Sequence, residues 1–236
     1  MKQIQRVFLV LLISSYNLTS YSQVAEYPDP GRFEEAIQKF ESDDKDNPPP
    51  TGGIVCIGSS SMRGWHEYIK EDLAPLTVIP RGFGGSNMNE ALYFADRIVL
   101  KYKPRAVVLY EGDNDISQKI PPQKIVDTFR SFVNKIHSKL PGCRIYVLSV
   151  KPSSSRWSIW PEMVATNKLL EKECAKNNLL TFVDVASVML NSEGEPIKEI
   201  FLEDNLHMNR EGYKLWRDKL RPVLLENELS FELQKN

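Results

Sequence analysis

The sequence predicts an α/β protein, a three-layer α/β/α sandwich built on a five-stranded parallel sheet. Three observations lead there. Short apolar runs recur at residues 54–57, 76–79, 106–110, 145–150 and 179–183. They are continuous rather than alternating, as expected of strands buried on both faces. Helical stripes of apolar residues separate most of them, and strands alternating with helices of this length make βαβ units with right-handed crossovers.

From the N-terminus, residues 1–22 read as a secretory signal peptide. Lys2 and Arg6 form the positive region, residues 7–13 the apolar one, and Ser20 and Ser22 place small residues before a cut at Gln23. The apolar run is shorter than the roughly 20 residues that cross a bilayer, so no stable membrane insertion is expected. The competing reading is an uncleaved anchor or frayed tail. Cleavage near Ser22 would leave a secreted or periplasmic protein, and no Cys stands there to carry a lipid.

Residues 23–52 form an N-terminal unit. A helix is expected over 32–42, with Phe33, Ile37 and Phe40 at i, i+4 and i+7. A linker follows over 43–51, which Pro48, Pro49 and Pro50 should keep from being helical. Residues 53–236 are the main domain. Its helical stripes are Ile125, Phe129, Phe132, Ile136 and Leu140, then Met163, Asn167, Leu170 and Cys174. A last helix over 209–226 turns Tyr213, Trp216, Leu220 and Leu224 inward.

Charged residues make up 26% of the chain with a net charge of −1 and no basic stripe, so nucleic acid is not the expected partner. Cys56, Cys143 and Cys174 lie in apolar or helical settings and read as buried small hydrophobes rather than a disulfide. None has a Cys or His at metal-ligand spacing, and no zinc site is expected. Nothing in the sequence specifies an oligomeric state.

In open parallel sheets chemistry gathers beyond the carboxyl ends of the strands, and four polar motifs stand there. The first strand runs into Gly58-Ser59-Ser60-Ser61, a sharp turn that exposes a hydroxyl. The second ends in Arg81-Gly82-Phe83-Gly84-Gly85-Ser86, where backbone can approach a ligand closely. The third ends in Tyr110-Glu111-Gly112-Asp113-Asn114-Asp115. There an Asn amide could donate to an oxyanion, or could serve only as turn chemistry, and the three acids could alternatively hold a cation. Asp204-Asn205-Leu206-His207 precedes the last helix, and an acid three residues ahead of a His can fix its tautomer. The other two histidines lack such a setting. His66 lies about 9 Å beyond Ser60 along one apparent helix, and His137 sits mid-helix without an acid at useful spacing.

Taken in order, these motifs resemble the SGNH/GDSL hydrolases, in particular those similar to the platelet-activating-factor acetylhydrolase catalytic subunits. The resemblance spans roughly residues 53–222. It implies the flavodoxin-like fold of that family, with Ser60 as nucleophile, His207 as base and Asp204 as its orienting acid. It also implies an oxyanion hole from the Ser60 and Gly85 N–H groups and the Asn114 side chain, with no metal or other cofactor. The chain departs from the family at Ser59 and Ser61, where the name-giving motif has Asp and Leu. Neither position carries a triad role.

The expected activity is hydrolysis of short-chain acyl esters, acetyl esters above all, with a small molecule or a glycan as partner. Lysophospholipids and thioesters are alternative substrates. Two rival readings remain. One is a metal-dependent hydrolase using Asp113, Asp115, Asp204 and His207; the other is a carbohydrate-binding module that has lost catalysis. The loop after the fourth strand carries Arg156, Trp157 and Trp160. They could form a hydrogen-bonding wall for a sugar ring, or the tryptophans could simply pack the loop onto the domain.

Overall fold

The structure, a computed structural model, describes residues 25–233, so the signal peptide expected over 1–22 lies outside the described residues. Strands β1 (Ile54–Gly58), β2 (Val78–Gly82), β3 (Ala106–Tyr110), β4 (Arg144–Leu148) and β5 (Leu180–Val183) form one sheet. Their order is β2-β1-β3-β4-β5 and every pairing is parallel. In chain order the helices are α1 (Glu34–Asp46), α2 (Ser60–Gly64), α3 (Ile69–Asp72), α4 (Met88–Ile98), α5 (Asp113–Ser117), α6 (Pro122–Lys139), α7 (Trp160–Cys174) and α8 (Arg210–Leu233).

The period of two along each strand divides the core. Val55, Ile57, Val107, Leu109, Ile145 and Val147 face the layer that holds α4, α6 and α7, with Ile37 of α1 packed among them. Ile54, Cys56, Val108, Tyr110, Tyr146 and Leu148 face α2, α3 and α8. The three-layer sandwich is therefore present. The strand order reverses at β1, with β2 added on one side of it and β3 on the other, and such a switch point opens a crevice at the carboxyl ends.

Several boundaries differ from expectation for identifiable reasons. The first helix begins with a 3₁₀ turn over Pro30–Phe33 and continues to Asp46, through four residues expected to be linker. Buried Asp44 ties that last turn to the domain by accepting from Tyr102 Oη (2.6 Å) and Lys101 Nζ (2.9 Å) and by pairing with Arg81. Only the prolines from Pro48 onward end it. The second strand is displaced toward Gly82 and contains Pro80. It is an edge strand, where a missing N–H breaks no ladder. The fourth stops at Leu148, because the Asn167 side chain of α7 accepts from the Val150 N–H (2.7 Å) and donates to its carbonyl (2.9 Å). The last helix extends through Pro222 to Leu233. All three cysteines are free and buried.

Candidate active site

Gly58 closes β1 with φ of 154°, and a Cβ there would lie 2.3 Å from the Tyr110 carbonyl oxygen. This approach brings the end of β1 against β3 and starts α2 at Ser60. The turn separates the three serines. Ser59 and Ser61 are each 2% exposed, whereas Ser60 reaches the crevice.

His207 arrives from the far end of the chain. Its Nε2 lies 2.8 Å from Ser60 Oγ, and its Nδ1 lies 2.5 Å from Asp204 Oδ2. The other carboxylate oxygen of Asp204 accepts the Leu206 and His207 N–H groups, each at 2.9 Å. The His207 hydrogen bond, with these backbone donors, holds the Asp204 carboxyl down at about 2, so it is ionised at neutral pH. Placement of His207 depends on how α8 docks. Arg210 grips buried Asp72 through two hydrogen bonds of 2.6 Å, and Tyr213 Oη donates to the Ser61 carbonyl (2.9 Å). Gly64 leaves room for that phenol, since a Cβ there would fall 2.3 Å from its oxygen.

The other histidines have separate duties. Contrary to expectation, α2 stops at Gly64, so His66 does not share its helix with Ser60. It accepts the Gly82 N–H through Nε2 (2.9 Å), and burial, with the Arg81 and Arg63 charges, pushes its pKa down to about 4. His137 Nε2 contacts the Cys143 carbonyl oxygen at 2.9 Å.

Across the crevice, Gly85 has φ of 89°, a left-handed conformation that favours glycine. Asn114 Nδ2 donates to the Ser86 carbonyl (2.8 Å), which spends one of its two N–H groups and fixes the direction of the other. Asn114 Oδ1 accepts from Arg156 Nη2 at 3.0 Å, and Arg156 Nη1 donates to Asp113 at 2.5 Å. The guanidinium that the sequence suggested for a ligand is thus directed to Asp113 and Asn114. Fully buried Lys151 lies 3.5 Å from Asp113 and donates to the Leu206 carbonyl at 2.7 Å. Burial opposes ionisation of Asp113, but the Lys151 and Arg156 charges hold its pKa below the usual carboxylate value. One buried ionic chain therefore joins the loop of His207 to the amide of Asn114. Lys151 was the residue that sequence reasoning missed. Its only signal was a cation directly after an apolar strand.

The acids of the third motif do not converge. Asp113 faces Lys151 and Arg156, while Asp115 accepts from Tyr27 Oη (2.9 Å) and from the Met88 and Gly112 N–H groups (both 3.0 Å). Among the described residues, no group of three or more His, Cys, Asp or Glu side chains is arranged to hold a metal. Trp157 and Trp160 stack on each other, centroids 5.9 Å apart at 15°, and both are half-buried. Trp160 also packs against the core.

Glu111 is wholly buried, 2.6 Å from Ser86 Oγ, and its Oε2 has no hydrogen-bond partner among the described residues. Burial and the nearby Asp115 charge raise its pKa well above the carboxylate range. The neutral acid stabilises the fold below the unfolded-state pKa of about 4.3, and that contribution is lost as pH rises toward the folded pKa. Glu111→Gln supplies a neutral isostere. The Tm difference between variant and wild type should move in the variant's favour from pH 4 to pH 8, and a constant difference would contradict a raised pKa.

Both the sequence and the fold resemble known proteins. The family model of the GDSL-like lipase/acylhydrolase family matches residues 51–215. The chain belongs to that family. Among solved structures, a candidate acylhydrolase from Bacteroides fragilis is similar, with a TM-score of 0.71 at 19% identity, covering 85% of this chain and 99% of that one. A candidate platelet activating factor from Streptococcus pneumonia has the same TM-score and identity, with 82% and 93% covered. A mutant of an acetyl-xylooligosaccharide esterase from Geobacillus Stearmophilus has a TM-score of 0.60 at 15% identity, with 75% and 94% covered. At these identities the likeness is one of fold. Comparison with curated proteins finds no match. As a GDSL-like acylhydrolase, the chain is a hydrolase of esters by family.

Proposed function

We propose that this acylhydrolase is a serine esterase that removes short acyl groups, acetyl above all, from carbohydrate. The observation that carries the reading is the unbroken chain from Ser60 Oγ through His207 to Asp204. Ser60 Oγ attacks the ester carbonyl while His207 Nε2 takes its proton, and the Asp204 carboxylate stabilises the imidazolium. The Ser60 and Gly85 N–H groups and the remaining Asn114 Nδ2–H hold the oxyanion. Collapse breaks the bond to the alkoxy oxygen, and His207 returns its proton to the departing alcohol. Water then attacks the acyl-serine and gives a proton to the same Nε2; the bond from the acyl carbon to Ser60 Oγ breaks, His207 returns that proton to Oγ, and the carboxylic acid leaves.

The acyl preference is inferred from the motifs at this end of the sheet. Ser60, Gly84, Gly85, Asn114 and the Asp204–His207 loop bring glycine backbone and polar groups, and no long apolar stretch stands among them to form a lid or acyl tunnel. The stacked Trp157–Trp160 pair supplies a flat apolar edge suited to a sugar. The structural likeness to an acetyl-xylooligosaccharide esterase fits a glycan ester, and the leader-like residues 1–22 fit export to extracellular polymers.

The test is a series of p-nitrophenyl esters run beside acetylated glycans. Acetyl and butyryl esters should be cleaved well and esters beyond about eight carbons poorly, because added methylenes do not gain the ~0.8 kcal/mol each that burial would give. Activity rising steadily to palmitoyl would replace this reading with a lipase. Unchanged activity on acetylated sugars in Trp157→Ala and Trp160→Ala would assign the tryptophans to packing.

A further inference from the structure

Among the described residues, every arginine but one donates a hydrogen bond to a carboxylate or a carbonyl oxygen. Arg32, Arg97, Arg105, Arg130, Arg144, Arg156, Arg210 and Arg217 bind acids, Arg81 binds Asp44, and Arg221 binds the Ala74 carbonyl. The exception is Arg63, exposed on α2 three residues after Ser60.

Its position follows from close packing. A Cβ on Gly82 would lie 2.3 Å from the Arg63 backbone nitrogen, so α2 is pressed against the end of β2. The Arg63 side chain then runs over the next turn, where a Cβ on Gly84 would meet Nη1 at 3.1 Å and Cζ at 3.4 Å. A guanidinium thus rests on the glycine beside Gly85, over the turn that carries one of the proposed oxyanion donors. On the other side of this turn Arg32 donates to the Gly85 carbonyl (3.3 Å), but its charge is met by Glu90 at 2.5 Å. Arg63 has no such counter-ion among the described residues, and its planar fork matches the two oxygens of a carboxylate or a phosphate.

We propose that Arg63 binds an anionic oxygen group carried by the substrate near its ester. The natural substrate is then an acylated acidic molecule, such as a uronic acid or a sugar phosphate, rather than a neutral sugar. This inference rests on the esterase reading above and narrows its substrate class.

The experiment compares acetyl esters of methyl glucuronoside, glucose 6-phosphate and methyl glucoside, with p-nitrophenyl acetate as an uncharged reference. The wild type should prefer at least one charged ester over the neutral sugar by roughly tenfold or more in kcat/KM, mainly through KM, as a charge-assisted hydrogen bond provides. Whichever charged arm shows the preference identifies the group. Arg63→Met should bring the ratio near one, Arg63→Lys should keep part of it, and added salt should reduce it. A wild-type ratio near one, or a preference that survives in Arg63→Met, would overturn the proposal. An equal loss on charged and neutral esters would also overturn it, since Arg63 would then only support the Gly84 turn. If p-nitrophenyl acetate is cleaved without charge preference, this inference alone fails. If neither it nor any sugar ester is cleaved, the esterase reading fails and takes this inference with it.

Discussion

Ser60→Ala should remove ester hydrolysis, a loss of about 10⁴-fold or more in kcat/KM, with far-UV circular dichroism and Tm close to wild type. His207→Ala should match it. Nucleophile and base act as one unit through the 2.8 Å contact, so the double variant should be scarcely worse than either single one. A fluorophosphonate should label Ser60 alone, because Ser59 and Ser61 are buried by the turn that presents Ser60. Label found on Ser59 or Ser61 would displace the whole proposed register. His66→Ala is the instructive control. It leaves the Gly82 N–H without its partner and should cost about 1–3 kcal/mol of stability, yet activity per folded molecule should persist. A folded but inactive His66→Ala would show that the wrong histidine has been placed at the centre.

The second large effect is expected at Asn114. Removing a donor aimed at the transition state should lower kcat by roughly 10²–10³ with little change in KM. Arg156 tests how that donor is held. It grips Asn114 Oδ1 at 3.0 Å, which orients the amide and polarises its N–H groups. Arg156→Met should therefore lower kcat as well, by less than Asn114→Ala, and should add little when Asn114 is already Ala. Steady-state kinetics of the two single variants and the double variant decide it. Independent, additive losses would mean that Arg156 serves the substrate directly, as the sequence alone suggested.

Much of the architecture was legible because it depends on local pattern. Continuous apolar runs at 54–57 and 106–110 can be satisfied only between two helical layers, and β1 and β3 lie there. Boundaries were less legible where a distant partner decides them. The last turn of α1 persists because Asp44 meets Arg81, Lys101 and Tyr102, and β4 ends where Asn167 takes over its backbone groups. Neither partner can be read from nearby sequence.

The candidate site divides in the same way. Asp204 and His207 are three residues apart, so their pairing follows from a single turn and could be expected from the sequence by itself. The strand–helix alternation likewise determined that the Ser60, Gly85 and Asn114 segments would share one end of the sheet. Only the tertiary structure decided that a buried Lys151–Asp113–Arg156 chain would link the His207 loop to Asn114, and that Arg63 would meet no counter-ion among the described residues. The reason is physical. A hydrogen-bond partner within one turn is set by local backbone geometry, whereas the partner of a long cationic side chain depends on which acid the packed layers bring within about 3 Å.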